Sequence, residues 1–230
     1  MDIGTTVQVD SFEEKWAQTN ALKKLKSNIG LFGKTMFPTA LNKEVPPFHH
    51  EIYKSLSDET LRRVLIAAPR GTAKSTVTSL ILPLHKIAFK PSGEDLFMVI
   101  ISESQTQSIN FLSRIKYHLE NSTNFKQMFG DYGPQTAKRW TNNDIVLHNG
   151  ARIVAVGTGQ RVRGFIEGDT RPNLIIVDDY ESELNASTPE GRAKNRKWIT
   201  EAVIPSLSDE GRVVMIGTVI SEDCFLYWAK

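Results

Sequence analysis

The sequence has little of what marks secreted, membrane-spanning or strongly charged proteins. Its 230 residues contain one cysteine, Cys224, which excludes an internal disulfide and a cysteine-rich zinc site and fits a reducing compartment. No apolar run approaches the roughly 18 residues that a membrane span needs. The acidic opening MDIGTTVQVD lacks an apolar core, so we expect no secretory signal. The formal net charge of +2 gives no compositional sign of a nucleic-acid-binding protein.

The sequence does contain enough apolar residues, 40% of the chain, to build the core of a globular protein. Short runs that are apolar throughout predict buried strands, and they alternate with segments of helical periodicity. These runs are VLIAA at 64–68, LFMVIIS at 96–102, NLIIVDD at 173–179 and RVVMIGT at 212–218. The alternation predicts an α/β fold with a mostly parallel central sheet and helices on both faces.

Turn and helix signals organise the rest of the chain. Asn149-Gly150 between two alternating strands predicts a β-hairpin insertion within DIVLHNGARIVAVG. The glycines and prolines of residues 30–47 predict a link between helices. Helices are predicted at 11–28, 48–63, 75–89 and 104–120, and from Thr188 to a stop at Pro205.

The stretch LIAAPRGTAKST, residues 65–76, is placed like a phosphate-binding loop but lacks the two defining glycines. In the frame that ends in Lys74-Ser75, Ala68 and Ala73 stand at the glycine positions, and only Gly71 remains. A phosphate site needs backbone N–H groups at a helix N-terminus, a cation, and a hydroxyl for Mg²⁺. The predicted nucleotide-binding residues in the loop are Pro69, Arg70, Gly71, Thr72, Ala73, Lys74, Ser75 and Thr76. The alternative is an ordinary strand–turn–helix with a basic tip.

The run NLIIVDDYE places acids at the end of a buried strand, where a parallel sheet binds its ligands. Asp178 is predicted to hold Mg²⁺ together with Ser75. A second acid is needed to orient the attacking water, and Asp179 and Glu181 compete for that role. Glu181 is favoured, because its longer arm can reach past the metal ligand. The alternative is a solvated acidic turn.

These motifs together resemble the ATPase domain of the large terminase subunit of tailed bacteriophages. APRGTAKST resembles that family's variant loop, with an arginine inside it, and LIIVDDYES resembles its Walker B segment. VVMIGTVIS resembles its coupling motif, with Val219 where the family usually has proline. VGTGQRVRG resembles its Arg-Gly segment, and VPPFHHEIYKSL lies where the family carries its adenine-recognition motif. The resemblance extends from about residue 44 to 228, with the motifs in the family's order.

The resemblance implies a P-loop NTPase of the ASCE type that binds ATP and Mg²⁺ and hydrolyses ATP. It divides the chain into an N-terminal helical segment, 1–43, and an ATPase domain, 44–230. The family usually places a glutamate directly after the Walker B aspartate, and this chain has Asp179 there. Gly217 and Thr218 would couple the nucleotide state to movement, and His50 stands near the family's adenine-binding glutamine.

Two arginines are expected at the transferred phosphate. Arg70 lies in the loop itself and can act within its own subunit. Arg163 is the candidate for a finger offered across a subunit interface, with Arg161 as second choice. The alternative for Arg163 is a surface ion pair with an acid of its own segment.

The implied partners are double-stranded DNA, the prohead with its portal, and the small terminase subunit. The resemblance further implies a ring of identical subunits on assembly, a monomer in isolation, and action in the host cytoplasm with no membrane. A complete large terminase also carries a C-terminal nuclease, and we expect none in this chain. The alternatives are another P-loop helicase or translocase, and a nucleotide-binding assembly module without turnover. The basic stretch RAKNRK, 192–197, is either a DNA contact or a solvated face.

Overall fold

A computed structural model describes residues 19–41, 46–160, 170–182 and 184–229. Within these residues the strands are β1 (Arg63–Ala67), β2 (Phe97–Ser102), β3 (Arg139–Trp140), β4 (Asp144–Val146), β5 (Arg152–Gly157), β6 (Leu174–Asp178) and β7 (Arg212–Gly217). The helices are α1 (19–27), α2 (Ile29–Met36), α3 (Pro47–Ser57), α4 (74–88), α5 (Gln105–Asn121), α6 (Thr123–Phe129), α7 (189–206) and α8 (Phe225–Trp228). No helix in this part of the chain is both long and apolar enough to cross a membrane.

The strands form one sheet in the order β1-β7-β6-β2-β5-β4-β3. The first five are parallel, and β3 and β4 add an antiparallel extension, so the prediction of a mostly parallel sheet is confirmed. The predicted hairpin joins β4 to β5, with Gly150 at a φ of +83° in its turn. An additional strand, β7, separates the loop strand β1 from the acid strand β6, as the ASCE class requires.

Two apolar cores lie on opposite faces of the sheet, which confirms that helices cover both. On one face α2, α4 and α5 contribute Phe32, Leu80 and Leu112. On the other face, Val203 of α7 and Phe225 of α8 pack against the side chains of β6 and β7 that point to that face. All residues of β2, β6 and β7 are buried, because both faces of these central strands are covered.

The link predicted at residues 30–47 is wrong in its first part, because Ile29–Met36 is a helix. Asn28 caps this helix by accepting a hydrogen bond from the amide of Leu31 at 2.9 Å. A side chain at Gly30 would lie 2.6 Å from the ring of Tyr53. The glycine therefore allows two helices to approach closely, which the sequence pattern does not distinguish from a flexible link.

Two predicted helix ends also need correction. The helix predicted at 48–63 ends at Ser57, because Asp58 accepts hydrogen bonds from the amide and hydroxyl of Thr60 and forms a turn. The helix from Thr188 continues past Pro205 to Ser206. It passes through a π-helical segment, Ile199–Val203, and then a 3₁₀ turn in which the missing N–H of proline is tolerated.

Candidate functional site

The parallel register brings three polar segments to one edge of the sheet. Ala67 pairs with Gly217, and Asp178 pairs with Ile216, so β1, β7 and β6 end side by side. The loop after β1, the acids after β6 and Thr218 after β7 therefore meet, as expected for the carboxyl edge of such a sheet.

The two alanines of the loop have different backbone conformations. Ala68 continues the pairing of β1, with its amide donating to the carbonyl of Gly217 at 3.1 Å, so this position has no need of glycine. Gly71 has a φ of +78° and open space around its α-carbon. Ala73 has φ 54° and ψ 18°, a left-handed conformation that costs an alanine roughly 1–2 kcal/mol. The loop thus keeps the turn of a phosphate loop with some strain at one residue.

Lys74 begins α4 and is buried, with only 5% of its surface exposed. Its Nζ lies 3.2 Å from Oδ2 of Asp179 and 3.3 Å from Oγ1 of Thr218. The amide of Thr218 in turn donates to Oδ1 of Asp179 at 3.0 Å. We call these three residues the Lys74–Asp179–Thr218 triangle; it ties the loop, the acids and the end of β7 to one another.

Asp178 is fully buried beneath the start of α4. It accepts hydrogen bonds from the hydroxyls of Ser75, at 2.9 Å, and Ser79, at 2.5 Å. Burial raises the pKa of Asp178 to about 6, against the lowering effect of the two hydroxyls. A buried carboxylate beside a hydroxyl is a donor set that Mg²⁺ accepts when phosphate oxygens and water complete its shell.

Asp179 has a φ of 42°, which is uncommon for a residue other than glycine but tolerated by aspartate. Its amide donates to the carbonyl of Ile216 at 2.9 Å, so the chain turns directly over the end of β7. This turn places the carboxylate against Lys74.

Glu181 has different partners. Its Oε2 accepts a hydrogen bond from the amide of Phe225, at the start of α8, at 2.6 Å, and its Oε1 is buried. Burial raises the pKa of Glu181 above its ordinary value. Of the two candidate acids, Asp179 contacts the loop lysine and Glu181 contacts the C-terminal helix.

A histidine next to the predicted one contacts the loop. Nε2 of His49 donates to the carbonyl of Thr72 at 2.5 Å, whereas His50 is exposed, with its ring 6.4 Å from that of Tyr53. The buried positions of α3 are His49, Ile52, Tyr53 and Leu56. That spacing is readable in the sequence and places His49 on the packed face. Ser79, also missed, follows Ser75 by one helical turn.

The remaining predicted residues are placed as follows. Arg70 is exposed at the tip of the loop. Arg161 and Arg163 lie in residues 161–169, outside the described part of the chain. In the basic stretch, Arg192 lies 3.5 Å from the carboxylate of Asp223, and Arg196 stacks on Trp228. These contacts favour a structural role for the stretch over a DNA contact.

The strand order, with β7 between β1 and β6, is that of the ASCE-type P-loop fold. No protein-family model and no curated protein sequence matches the chain. The chain is similar to an arginine-to-alanine mutant of the large terminase ATPase domain of Thermus phage P74-26. The TM-score is 0.54, with 15% identity, over 84% of this chain and 72% of that one.

Two further solved structures agree. The unmutated P74-26 domain gives a TM-score of 0.50 and 16% identity, over 79% of this chain and 67% of that one. The large terminase of bacteriophage HK97 gives 0.53 and 11% identity over 80% of this chain, which spans 35% of that protein. At these identities the similarity shows that the chain has the fold of large terminase ATPase domains.

The strain at Ala73 leads to a stability prediction. Ala73→Gly should leave the free energy of unfolding unchanged or raise it by up to about 1 kcal/mol, because glycine adopts this conformation without steric cost. Ala193→Gly, at an exposed site within α7, is the matched control and should lower it by about 1 kcal/mol. Urea denaturation of the three proteins measures the difference. Equal losses in both variants would show that the loop has an ordinary backbone at residue 73.

The buried Asp178 predicts a pH-dependent effect of Asp178→Asn. The pKa of Asp178 is raised in the folded state from 3.8 to about 6, so its contribution to stability is full below pH 4 and is lost as the pH rises through 6. Relative to the wild type, Asp178→Asn should gain on the order of 2–3 kcal/mol between pH 4 and pH 8. Denaturant unfolding with a metal chelator present and no nucleotide measures this. A difference that is constant with pH would contradict the burial argument.

Proposed function

We propose that this chain is the ATP-hydrolysing motor domain of a viral large terminase, which drives double-stranded DNA into a prohead. The observation that carries this proposal is the Lys74–Asp179–Thr218 triangle. It joins the loop cation, an acid and the expected coupling residue at the ligand edge of the sheet. The fold shared with large terminase ATPase domains supports the motor assignment.

The loop holds the phosphates of ATP in this proposal. Backbone N–H groups of the loop from Arg70 to Thr76, which follow Pro69 and lead into the N-terminus of α4, would face the anion, and Lys74 would bind the β- and γ-phosphates as a point charge. The exposed guanidinium of Arg70 reaches phosphate oxygens from the loop tip. His49 fixes the loop through the Thr72 carbonyl, and His50 lies on the adjoining surface for a contact to the base.

Ser75 and Asp178 hold Mg²⁺ in this proposal, since a hydroxyl and a carboxylate already lie 2.9 Å apart. When bound, the ion would supply positive charge that offsets the charge of the phosphates. Ser79 keeps Asp178 oriented through the second carboxylate oxygen. The chain therefore supplies the carboxylate of Asp178 as a fixed and desolvated ligand for the ion.

Asp179 is the better candidate for the acid that orients the attacking water. It is adjacent to Asp178 and contacts Lys74, the residue that would bind the γ-phosphate. Phosphate oxygens that take over Lys74 release Asp179, whose carboxylate can then accept a hydrogen bond from water. Glu181, which the sequence favoured, is engaged with the amide of Phe225. The assignment between the two acids stays a prediction.

Coupling and assembly complete the proposed function. Thr218 contacts both Lys74 and Asp179, so a change at the γ-phosphate reaches β7 through Gly217 and Thr218. Arg163 is assigned to the neighbouring subunit's site in an assembled ring. The proposed partners are the portal and prohead, the small terminase subunit and DNA, in the host cytoplasm.

A nucleotide-binding assembly module without turnover is the second candidate. The strained alanine at position 73 favours it, because glycine at that position would complete an ordinary phosphate loop. The position of Asp179 favours the enzyme, because its carboxylate lies beside the lysine that would bind the γ-phosphate, where an attacking water would need an acid to orient it.

Removing the loop lysine tests the proposal. Lys74→Ala should lower ATP turnover roughly 100-fold or more, because no other group replaces a cation at the transferred phosphate. Turnover is measured with Mg²⁺ and DNA, with and without prohead and portal, and equilibrium ATP binding is measured alongside. Lys86→Ala is the matched control, since Lys86 lies on the same helix and pairs with Glu59 at the surface. Wild-type binding and turnover in Lys74→Ala would show that the loop is not the phosphate site, and binding without turnover in the wild type would favour the module.

A further inference from the structure

The C-terminal helix α8 is attached to the turn that carries the acids. Besides the hydrogen bond from the amide of Phe225 to Glu181, the rings of Phe225 and Tyr180 meet edge to face with centroids 5.7 Å apart. A carboxylate at the first amide of a helix satisfies a donor that has no partner within the helix. Tyr180 and Glu181 together therefore hold the start of α8.

The same helix also packs on the coupling residue. A Cβ added at Gly217 would lie 2.7 Å from Cδ1 of Leu226 and 3.2 Å from Oδ1 of Asp179. Gly217 thus fills the gap between the acid and α8 with no room for a side chain. A displacement of Asp179 or of the chain at Gly217 is transmitted sterically to Leu226.

Helix α7 holds the other side of this segment. Arg196 donates to the carbonyl of Asp223 at 2.7 Å, and its guanidinium carbon lies 5.0 Å from the ring centroid of Trp228. Residues 223–228 are therefore held between a fixed helix and the acid turn. Among the described residues, contacts to Glu181, Tyr180 and Gly217 connect the segment to the candidate nucleotide site.

We propose that Glu181 is a positioning residue that fastens α8 to the acid turn and passes the nucleotide state to α8. The inference rests on the proposed function, because it needs nucleotide to displace Asp179 from Lys74. In this structure Asp179 is held by Lys74 and Thr218, and α8 is docked. When Asp179 is released, Gly217 and the acid turn shift together, and α8 follows through Glu181 and Leu226.

Amide hydrogen exchange at residues 224–229 tests the attachment without nucleotide. Glu181→Ala should speed exchange of the Phe225 amide about tenfold, as expected for the loss of one hydrogen bond. Glu181→Asp, whose shorter arm does not reach, should do the same while keeping the charge. Glu181→Gln should restore wild-type protection, because its amide oxygen can accept the same bond. Equal exchange rates in the wild type and the three variants would overturn the attachment. If Glu181→Ala does not fold, the comparison of Glu181→Asp with the wild type provides the test.

Repeating the measurement with Mg²⁺ and the non-hydrolysable ATP analogue AMP-PNP tests the coupling. The wild type and Glu181→Gln should change their exchange at 224–229 on binding, and Glu181→Asp should not, at an unchanged affinity for the analogue. Glu181→Gln should also rescue turnover relative to Glu181→Asp. Two results overturn the inference: no nucleotide effect in a wild type that binds the analogue, or loss of turnover in Glu181→Gln with protection intact. If the wild-type protein does not bind the analogue, both the proposed function and the coupling are wrong. The exchange measured without nucleotide still tests the attachment of α8 to Glu181.

Discussion

The contact between Lys74 and Asp179 is the interaction on which the rest of the site depends. A buried ammonium needs a partner, since leaving it alone in a poorly solvated place costs several kcal/mol. Asp179 supplies that partner from the far side of β7, and Thr218 fixes the carboxylate from the strand between them. The sheet order makes this possible, because β7 places its end between the loop and the acids.

The loop forms its turn without a glycine at either of the two positions where a phosphate-binding loop usually has one. Ala68 lies within the strand pairing and needs no positive φ, while Gly71 supplies the open turn. Ala73 accepts a strained backbone so that Lys74 can begin the helix with its side chain over the end of the sheet. Strain of this kind is typical of functional sites, where surrounding contacts hold an unfavourable conformation in place.

Much of the fold could be predicted from the sequence, because strands and tight turns are marked by short stretches of neighbouring residues. Apolar runs such as LFMVIIS, and the turn at Asn149-Gly150, correctly predicted β2 and the hairpin. What failed depends on tertiary contacts. Gly30 favours a link in the sequence, but in the structure it allows the ring of Tyr53 to pack closely against a helix. Asp58 ends a helix by forming a turn with Thr60.

In the candidate site, too, the features that depend on local sequence could be predicted and those that depend on tertiary contacts could not. The sequence motifs predicted that Lys74, Ser75 and Asp178 lie near one another, because each lies at or just beyond the end of an identifiable strand. The choice between Asp179 and Glu181 depends on backbone direction, which a φ of 42° at Asp179 sets and no sequence pattern reports. The contact of His49 with the loop could have been predicted from the spacing of the buried residues of α3, while the role of His50 stays a prediction.

The affinity of Asp179→Asn for ATP with Mg²⁺ tests the Lys74–Asp179 contact most directly. If Asp179 holds Lys74 until phosphate takes its place, the neutral amide competes less, and binding should tighten roughly two- to fivefold, the range of a single partly exposed ion pair. Turnover should be lost at the same time, because asparagine does not act as the water-orienting acid. Weaker binding together with turnover at the wild-type rate would contradict both roles of Asp179.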